Sequence, residues 1–289
     1  STSGSPEPLV ADERVTPLRV AVVGHVEWVE FVRVDRVPSA GDIAHGLESW
    51  EEAGGGGGVS AVQLAMLAGS STLFTALGDD EVAGEARKSL ERSGVRVEAT
   101  SRRAPTRRAI TMLDPGGERT ITTVGERLSP MGSDGLPWDE LEAADGVFFT
   151  AGDEEALRAA RRARVLVATS RVLEEIRRWR VPIDALVGSA RDPLETFDVG
   201  DLDAPPRLAV LTEGVRGGRW WTADEGWSRY EAAALPGPGG DAYGAGDSFA
   251  AGLTYGLAKG LAPDTALAVA ARCGAAARAR TGVSGRAAG

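Results

Sequence analysis

The segment from Asp241 to Gly252 contains the residue types and the spacing that could perform chemistry. Its sequence is Asp-Ala-Tyr-Gly-Ala-Gly-Asp-Ser-Phe-Ala-Ala-Gly, with glycines at 244 and 246 where a loop enters a predicted helix. Backbone N–H groups at such a point can converge on one anion, and the helix N-terminus adds partial positive charge. A phosphoryl group in transfer needs this arrangement because its charge spreads over equatorial oxygens. Asp247, directly beside it, could accept the proton of an attacking hydroxyl.

A simpler interpretation of the same residues is structural, with Asp247 as a helix cap and the glycines as a turn. The chemical interpretation is favoured because two acidic residues, six positions apart, flank Gly-Ala-Gly and precede a helix of small residues. We therefore predict a group-transfer site with Asp247 as its base.

Two further glycine-rich segments could bring bare backbone close to a ligand. Thr212–Gly217 follows an apolar strand, and the amides of Gly214 and Gly217 could approach phosphate oxygens. Gly54–Gly58 is a run of five glycines before a helix, which would let a substrate lie directly on the chain. Each segment also has a simpler structural interpretation. Thr212–Gly217 could be only a turn at a strand end, and Gly54–Gly58 could be a flexible linker.

Strands alternate with helices along most of the chain, which predicts an α/β fold with a doubly wound, mostly parallel sheet. The predicted strands are Leu18–Gly24, Ser71–Leu77, Gly146–Thr150, Val165–Thr169, Ala185–Gly188 and Leu208–Thr212. The predicted helices are Val59–Ala68, Ala83–Ser93, Glu154–Arg164, Arg171–Arg180, Asp247–Lys259 and Pro263–Arg280.

Several strands with one polar face do not fit this alternation of strands and helices. They predict a small β lid, inserted at about 31–51 and 107–124. Its strands are expected at Phe31–Val37, Ile43–Glu51, Arg107–Leu113 and Arg119–Val124, the last two as a hairpin around Asp-Pro-Gly-Gly. A second hairpin is expected at Arg219–Thr222 and Trp227–Ala232.

The composition is that of a globular protein and excludes some function classes. The 289 residues have a formal net charge of −10, which disfavours non-specific nucleic-acid binding and docking on anionic membranes. One cysteine and two histidines make an intramolecular disulfide impossible and a Cys/His zinc site unlikely. Residues 1–17 are polar and predict a disordered tail without a signal peptide, ahead of a single domain over 18–289.

Taken together, the motifs resemble those of the ribokinase-like, or PfkB, carbohydrate kinases. One signature of that family is Asp-Thr-x-Gly-Ala-Gly-Asp-x-Phe, from which residues 241–249 depart at one named position, Ala242. The family's other motifs follow in the same order between about residues 18 and 283. They are a strand ending in glycine, a Gly-Gly pair before a helix, Gly-Asp-Asp after a strand and Thr-x-Gly-x-x-Gly, matched at Gly24, Gly54–Gly58, Gly78–Asp80 and Thr212–Gly217.

This resemblance implies a ribokinase-like sheet flanked by helices with a small β lid, and transfer of the γ-phosphoryl group of ATP to a sugar hydroxyl. Asp247 would be the base, and Gly244, Ala245 and Gly246 would form the anion hole. The remaining implied ligand-binding residues are Thr212, Gly214 and Gly217 for the nucleotide, and Gly54 and Gly55 for the substrate.

The substrate-binding positions depart from the family pattern. An Asp that grips sugar hydroxyls in the family is replaced by Val29, and an Asn is replaced by Gly58 or Val59. We predict Glu27 as the replacement acceptor, because alternate residues of a strand share a face; a salt bridge in a loop is the alternative. Trp28 is a candidate to stack on a base or sugar ring, with packing of the lid as its alternative.

The metal positions are also altered. The family's Asn-x-x-Glu, which organises the water shell of Mg²⁺, corresponds by position to Ser189-Ala190-Arg191-Asp192, so Ser189 and Asp192 are the candidates. The family pattern implies that Asp241 helps to hold a monovalent cation such as K⁺, with positive charge from Arg278 or Arg280 as the alternative.

The sequence therefore predicts a cytoplasmic, ATP- and Mg²⁺-dependent kinase of a sugar or sugar-like molecule, with no nucleic-acid or membrane partner. A nucleoside kinase of the same fold and a slow ligand-binding or regulatory relative are the alternatives. The lid predicts a homodimer, because an exposed sheet needs its second face covered. Loss of the Asp and Asn anchors predicts weak or no activity on ribose and fructose. The acceptor is expected to be less hydroxylated at one end, or to carry an apolar or aromatic group that Val29, Val59 and Trp28 cover.

Overall fold

The protein was analysed as a computed structural model, which describes residues 17–237 and 239–285. The strands are β1 (Val20–Val23), β2 (Glu27–Arg33), β3 (Glu48–Gly54), β4 (Ser71–Gly78), β5 (Val95–Arg102), β6 (Arg108–Leu113), β7 (Arg119–Val124), β8 (Gly146–Phe149), β9 (Leu166–Thr169), β10 (Ala185–Ser189), β11 (Leu208–Thr212), β12 (Gly218–Thr222) and β13 (Gly226–Tyr230). The α-helices are α1 (Gly55–Ala68), α2 (Glu81–Arg92), α3 (Glu154–Ala160), α4 (Leu173–Trp179), α5 (Ala245–Ala258) and α6 (Pro263–Arg278).

The main sheet has the order β13-β12-β11-β10-β9-β8-β1-β4-β5. Neighbours from β11 to β5 are parallel, and β12 and β13 extend the sheet as antiparallel strands. The predicted α/β class with a mostly parallel sheet is confirmed. Because the carboxyl ends of parallel strands share one edge, the loops after β1, β8, β9, β10 and β11 lie together there.

The sheet is buried on both faces, which explains its apolar strands. In β1, Val20 and Val22 pack into a core with α1, α5 and α6, while Ala21 and Val23 pack into a second core with α3 and α4. Strand side chains alternate between the two faces, so a short apolar run supplies both cores. Within the described ranges, no helix is long and apolar enough to cross a membrane.

The lid is a separate sheet of the order β3-β2-β6-β7. The hairpin of β6 and β7 is confirmed, but the predicted strands Phe31–Val37 and Ile43–Glu51 are wrong in position. In the structure β2 begins at Glu27, and β3 ends at Gly54, directly before α1. The register opposes Glu27 to Gly54, so the strands pair where the lid meets the main body, and the side chain of Ile43 lies exposed in the connecting loop.

Other element boundaries also differ. Helix α1 begins at Gly55, four residues before the predicted start, because the glycine run forms its first turn. Strand β5 was not predicted; it pairs with β4 at the edge of the main sheet, and its exposed side chains weaken the apolar signal. The predicted tail over 1–17 lies outside the described residues except for Pro17.

Candidate active site

The loop between β13 and α5 forms a cradle of backbone amides at the start of α5. Gly244 precedes the helix in the left-handed conformation (φ +69°), and a Cβ there would lie 2.7 Å from Val59 Cγ1. Only glycine satisfies both conditions. Nothing lies within 4 Å of a Cβ built on Gly246, and Gly244, Ala245 and Gly246 all line a cavity. Free N–H groups at a helix N-terminus can bind an anion.

Asp241 fixes the beginning of this loop. Its buried carboxylate accepts hydrogen bonds from the backbone N–H groups of Tyr243 (2.9 Å) and Gly282 (2.9 Å). Burial raises its pKa, while these hydrogen bonds favour the charged form. Both carboxylate oxygens therefore already hold the loop in shape, and the structure gives Asp241 a positioning role in addition to any cation it binds.

Asp247 lies in the first turn of α5, partly enclosed by the cleft. Removal from water raises its pKa to about 6, Glu195 adds to this rise, and Arg171 and Arg119 oppose it. Asp247 Oδ1 is 3.3 Å from the position that a Cβ on Gly56 would occupy. A carboxylate with this pKa is mostly ionised at neutral pH and more basic than an ordinary Asp, as a general base must be.

Two adjoining cavities meet at the amide cradle. The larger, of about 480 Å³, is polar and is lined by Gly244, Ala245, Gly246 and Asp247, by strand-end residues and by the lid hairpin. The smaller, of about 250 Å³, is mainly apolar, with Tyr230, Leu235 and Phe249 in its walls. Thr212, Gly214 and Gly246 line both cavities. An apolar slot that opens at an amide cradle suits a purine base with its phosphate chain pointing towards the polar cavity.

The predicted phosphate loop lies at this junction. Thr212 Oγ1 donates to the Gly188 carbonyl (3.3 Å), and Gly214 and Gly217 both have positive φ, at +68° and +80°. A Cβ on Gly217 would lie 2.1 Å from the Tyr230 carbonyl oxygen, so a side chain cannot fit. The guanidinium of Arg191 rests against Gly214, which adds positive charge beside the loop.

The glycine run and Glu27 meet below the lid. Gly55 N–H donates to the Tyr243 hydroxyl (3.0 Å), and a Cβ on Gly54 would lie 2.4 Å from that oxygen. Glu27 is buried; its Oε1 lies 3.2 Å from Arg107 Nε and 3.8 Å from His25 Nε2. Burial raises the pKa of Glu27 and Arg107 lowers it. Glu27 thus lies beside Gly55, at the predicted substrate position. It also forms an ion pair with Arg107.

Trp28 and the two valines do not face the cleft, which corrects the expectation that they cover the acceptor. Trp28 follows Glu27 in β2 and therefore points to the opposite face, where it packs in the core at 8% exposure. Val29 is fully buried, and Val59 packs against Gly244. The sequence placed Val29 correctly on the face of Glu27, but could not show that Tyr243 and Gly54 close over that face.

The structure places Ser189 and Asp192, two of the predicted metal residues, in the lining of the polar cavity. The third, Asp241, does not line this cavity. Ser189 Oγ accepts from Arg191 N, and both oxygens of Asp192 are occupied, one by Arg171 (3.0 Å) and one by Leu194 N (3.0 Å). Within residues 17–237 and 239–285, no group of three or more His, Cys, Asp or Glu side chains could hold a metal ion directly. The arrangement fits carboxylates that bind metal-bound water better than a direct ligand cage.

Sequence reasoning missed Glu195. It lines the same cavity, pairs with Arg171 through Oε1 and raises the pKa of Asp247. Asp192-Pro-Leu-Glu195 has the x-x-Glu spacing that the alignment at Ser189 lacks, and this signal could have identified it. A shift of three residues along the loop after β10 accounts for the difference.

His25 and Thr150 were also missed. Both are buried, and in the described part of the chain His25 Nδ1 and Thr150 Oγ1 have no hydrogen-bond partner. A Cβ on Gly56 would lie 3.4 Å from His25 Cε1 and 3.7 Å from Thr150 Cβ, beside Asp247. Burial, and then nearby arginines, lower the pKa of His25 to about 3, so its imidazole is neutral. Single polar residues at strand ends carry no sequence pattern that would distinguish them.

Comparison with known proteins agrees with this geometry. A family model described as pfkB family carbohydrate kinase matches residues 18–192 and 201–287. A ribokinase of Dictyostelium discoideum is 30% identical over 108 residues, which cover 37% of this chain and 34% of the relative. An ATP-dependent ribose-1-phosphate kinase of Halopiger xanaduensis is 39% identical over 82 residues, 28% of this chain and 27% of the relative. The matches thus span 34% and 27% of the length of these curated relatives.

A solved structure shows the likeness of the fold. The ribokinase of Thermotoga maritima has a TM-score of 0.72 and 19% identity, and the match covers 92% of this chain and 95% of that one. The predicted ribokinase-like fold is confirmed.

Proposed function

Because this chain belongs to the pfkB family of carbohydrate kinases, we propose that it transfers the γ-phosphoryl group of ATP to a hydroxyl of a sugar or sugar-like molecule. The observation that supports this most is the position of Asp247, beside the open amides of Gly244–Gly246 and within the cavity that adjoins the apolar slot. A base next to an anion cradle serves group transfer, and binding alone has no need of one.

In the proposed reaction the adenine base occupies the apolar slot, and the phosphates extend along Thr212, Gly214 and Gly217 to the cradle. The acceptor hydroxyl attacks the γ-phosphorus, and its proton passes to Asp247. The bond from phosphorus to the bridging oxygen breaks and ADP leaves. The amides of Gly244, Ala245 and Gly246 stabilise the charge that develops on the transferred group.

Mg²⁺, when bound with ATP, would neutralise charge on the phosphates and orient them. Asp192 and Glu195 are the carboxylates in the cavity that could accept hydrogen bonds from its water ligands, and Ser189 is a weaker contributor. Asp241 is proposed to hold the loop and, if a monovalent cation such as K⁺ is used, to lie beside it.

The proposed acceptor site includes Gly54, Gly55 and Glu27 with His25 and Thr150. Known relatives are named for ribose and for ribose 1-phosphate, so their names do not select an acceptor. The nucleoside alternative loses the support of Trp28, which packs in the core and faces away from the cleft. We further propose a single kinase domain over 18–289, working in the cytoplasm, where ATP is abundant.

The experiment is an assay of ADP release with Mg²⁺ and ATP against a panel of neutral sugars, sugar phosphates, sugar acids and nucleosides. Phosphorylation of at least one sugar or sugar derivative, confirmed by mass spectrometry of the product, is expected. Tight ATP binding without transfer to any member of the panel would favour the regulatory alternative. Preference for a nucleoside would favour the nucleoside-kinase alternative.

A further inference from the structure

Among the described residues, four arginines line the polar cavity, and they differ in what they contact. Arg171 forms ion pairs with two carboxylates of the cavity wall, and Arg119 donates to a backbone carbonyl (2.8 Å). The side chains of Arg191 and Arg278 make no hydrogen bond or ion pair with any residue in the described ranges. Each guanidinium has five N–H donors, so these two arginines are available to a ligand of the cavity.

Arg191 lies in the loop after β10, and its side chain rests on the glycine loop at Thr212–Gly217. The Arg191 backbone N–H donates to Ser189 Oγ (3.2 Å). In the side chain, Nη1 lies 2.9 Å, Cδ 3.5 Å and Cζ 3.9 Å from the position that a Cβ on Gly214 would occupy. Gly214 lines both the apolar slot and the polar cavity. A ligand that extends from the slot past Gly214 would therefore meet this guanidinium.

Arg278 reaches the same junction from a different element. It is the last residue of α6 and is half-buried. Like Gly214 and Gly246, it lines both the apolar slot and the polar cavity. Its side chain therefore borders the passage from the slot to the amide cradle. A nucleotide with its base in the slot would place its first phosphates in this passage.

Building on the kinase activity proposed above, we propose that Arg191 and Arg278 bind the phosphates of the nucleotide directly. Arg278 contacts the phosphates nearest the apolar slot, and Arg191 contacts those beyond Gly214. A guanidinium matches the geometry of a phosphate and forms charge-assisted hydrogen bonds with it. The chain has a net charge of −10, so a polyphosphate needs local positive charge to bind. The two arginines supply part of that charge, and the nucleotide is held even without Mg²⁺.

The experiment is titration calorimetry in EDTA with adenosine, ADP and a non-hydrolysable ATP analogue. The proteins are the wild type, Arg191→Gln, Arg278→Gln and the control Arg272→Gln, which removes an exposed arginine from α6 and changes the net charge equally. We expect the wild type and the control to bind ADP and the analogue without Mg²⁺. Both test variants should bind the analogue about 10- to 100-fold more weakly, and Arg278→Gln should weaken ADP by a similar factor.

Adenosine separates phosphate binding from a change in the shape of the slot, because it has the base and no phosphate. Its affinity should stay within about twofold of the wild-type value in both variants. A loss for adenosine as large as that for the analogue overturns the inference, because the arginines would then serve the base.

Two other results overturn the inference and leave the kinase proposal intact. One is equal affinity for the analogue in the wild type and both variants. The other is wild-type binding of ADP and the analogue only after Mg²⁺ is added, because the metal would then supply the charge. If no adenine nucleotide binds with or without Mg²⁺, the kinase proposal itself is contradicted together with this inference.

Discussion

At the scale of single residues, the chemistry depends on the environment of Asp247. Its carboxylate lies where the amide cradle, the glycine run and the strand ends meet, and this enclosure raises its pKa to about 6. The sequence identified this residue and its three neighbours because Gly-Ala-Gly-Asp at a helix start is a local pattern. His25 and Thr150 were missed because only the fold brings them to Asp247.

The raised pKa of Asp247 predicts how activity depends on pH. A general base must be deprotonated, so kcat/KM for the acceptor should increase about tenfold per pH unit below pH 6 and level off above pH 7. The measurement is a pH profile from 5 to 8.5 at saturating MgATP. A flat profile over this range would contradict the role of Asp247 as the base.

Glu195 is expected to contribute more to metal dependence than Asp192. Both oxygens of Asp192 accept hydrogen bonds from protein groups, whereas Glu195 lines the cavity with an ion pair to Arg171 and would be the carboxylate to accept from metal-bound water. Glu195→Gln should raise the Mg²⁺ concentration for half-maximal activity about 10- to 100-fold, and Asp192→Asn should have a smaller effect. Titration of activity with Mg²⁺ at fixed ATP tests this. A larger effect of Asp192→Asn than of Glu195→Gln would support the alignment that assigns the metal positions to Ser189 and Asp192.

At the scale of elements, the lid hairpin contacts the Asp241–Gly246 loop directly. The Ala242 N–H donates to the Gly117 carbonyl (3.1 Å), and Arg119 donates to the Ala242 carbonyl (2.8 Å). These contacts join the turn between β6 and β7 to the start of the Asp241–Gly246 loop. The position of the lid hairpin and the shape of the Asp241–Gly246 loop are therefore coupled through these hydrogen bonds.

The substitution Gly117→Ala should disrupt the contact between the lid hairpin and the Asp241–Gly246 loop. A Cβ there would lie 2.6 Å from the Gly240 carbonyl oxygen, and the residue has φ +75°. Gly226→Ala is a matched control, because Gly226 has φ +69° in a hairpin turn but nothing within 4 Å of its Cβ. The positive φ should cost each variant about 1 kcal/mol of stability, and Gly117→Ala should lose more because its Cβ also meets backbone. Only Gly117→Ala should also lower kcat/KM, by about tenfold; equal kinetics in the two would contradict the coupling.

At the scale of the whole molecule, the outer face of the lid suggests how two copies associate. Ile110 is 36% and Val124 54% exposed, and both lie on the face of β6 and β7 that points away from the cleft. Such exposed apolar side chains on a small sheet invite pairing. The dimer remains a prediction of ours.

Sedimentation at micromolar concentration should give twice the 30.0 kDa mass of the chain. Ile110→Glu should give a monomer, since it places a charge in the predicted interface. Met131→Glu, which replaces a residue of similar exposure outside the lid, should not change the mass. If the wild type sediments as a monomer, the prediction that the lid forms a dimer interface is wrong.

Much of this molecule could be predicted from local patterns, and the remainder depends on long-range packing. The parallel strands were predictable because short apolar runs end at glycine or polar residues, as β11 does at Thr212. The lid strands were misplaced because their ends are set by the pairing between β2 and β3, which opposes Glu27 to Gly54, and the sequence around Phe31 and Ile43 does not show this pairing. Trp28 was misassigned for the same reason, since the face of a strand depends on what covers it.

The Asp247→Asn variant should fold at least as well as the wild type. A carboxyl whose folded pKa lies above its unfolded value of 3.8 costs stability as pH rises towards 6 and beyond. Replacing it with a neutral amide should therefore raise the free energy of unfolding at pH 7.5, by about 1–3 kcal/mol. Loss of activity in this variant can then be assigned to chemistry.

The most direct test of the account is kcat of Asp247→Asn with the acceptor that the wild type prefers. We predict a fall of about 10²–10⁴-fold, with the affinity for ATP measured by calorimetry unchanged. Turnover within a few-fold of the wild type would show that another group accepts the proton and would contradict the proposed mechanism.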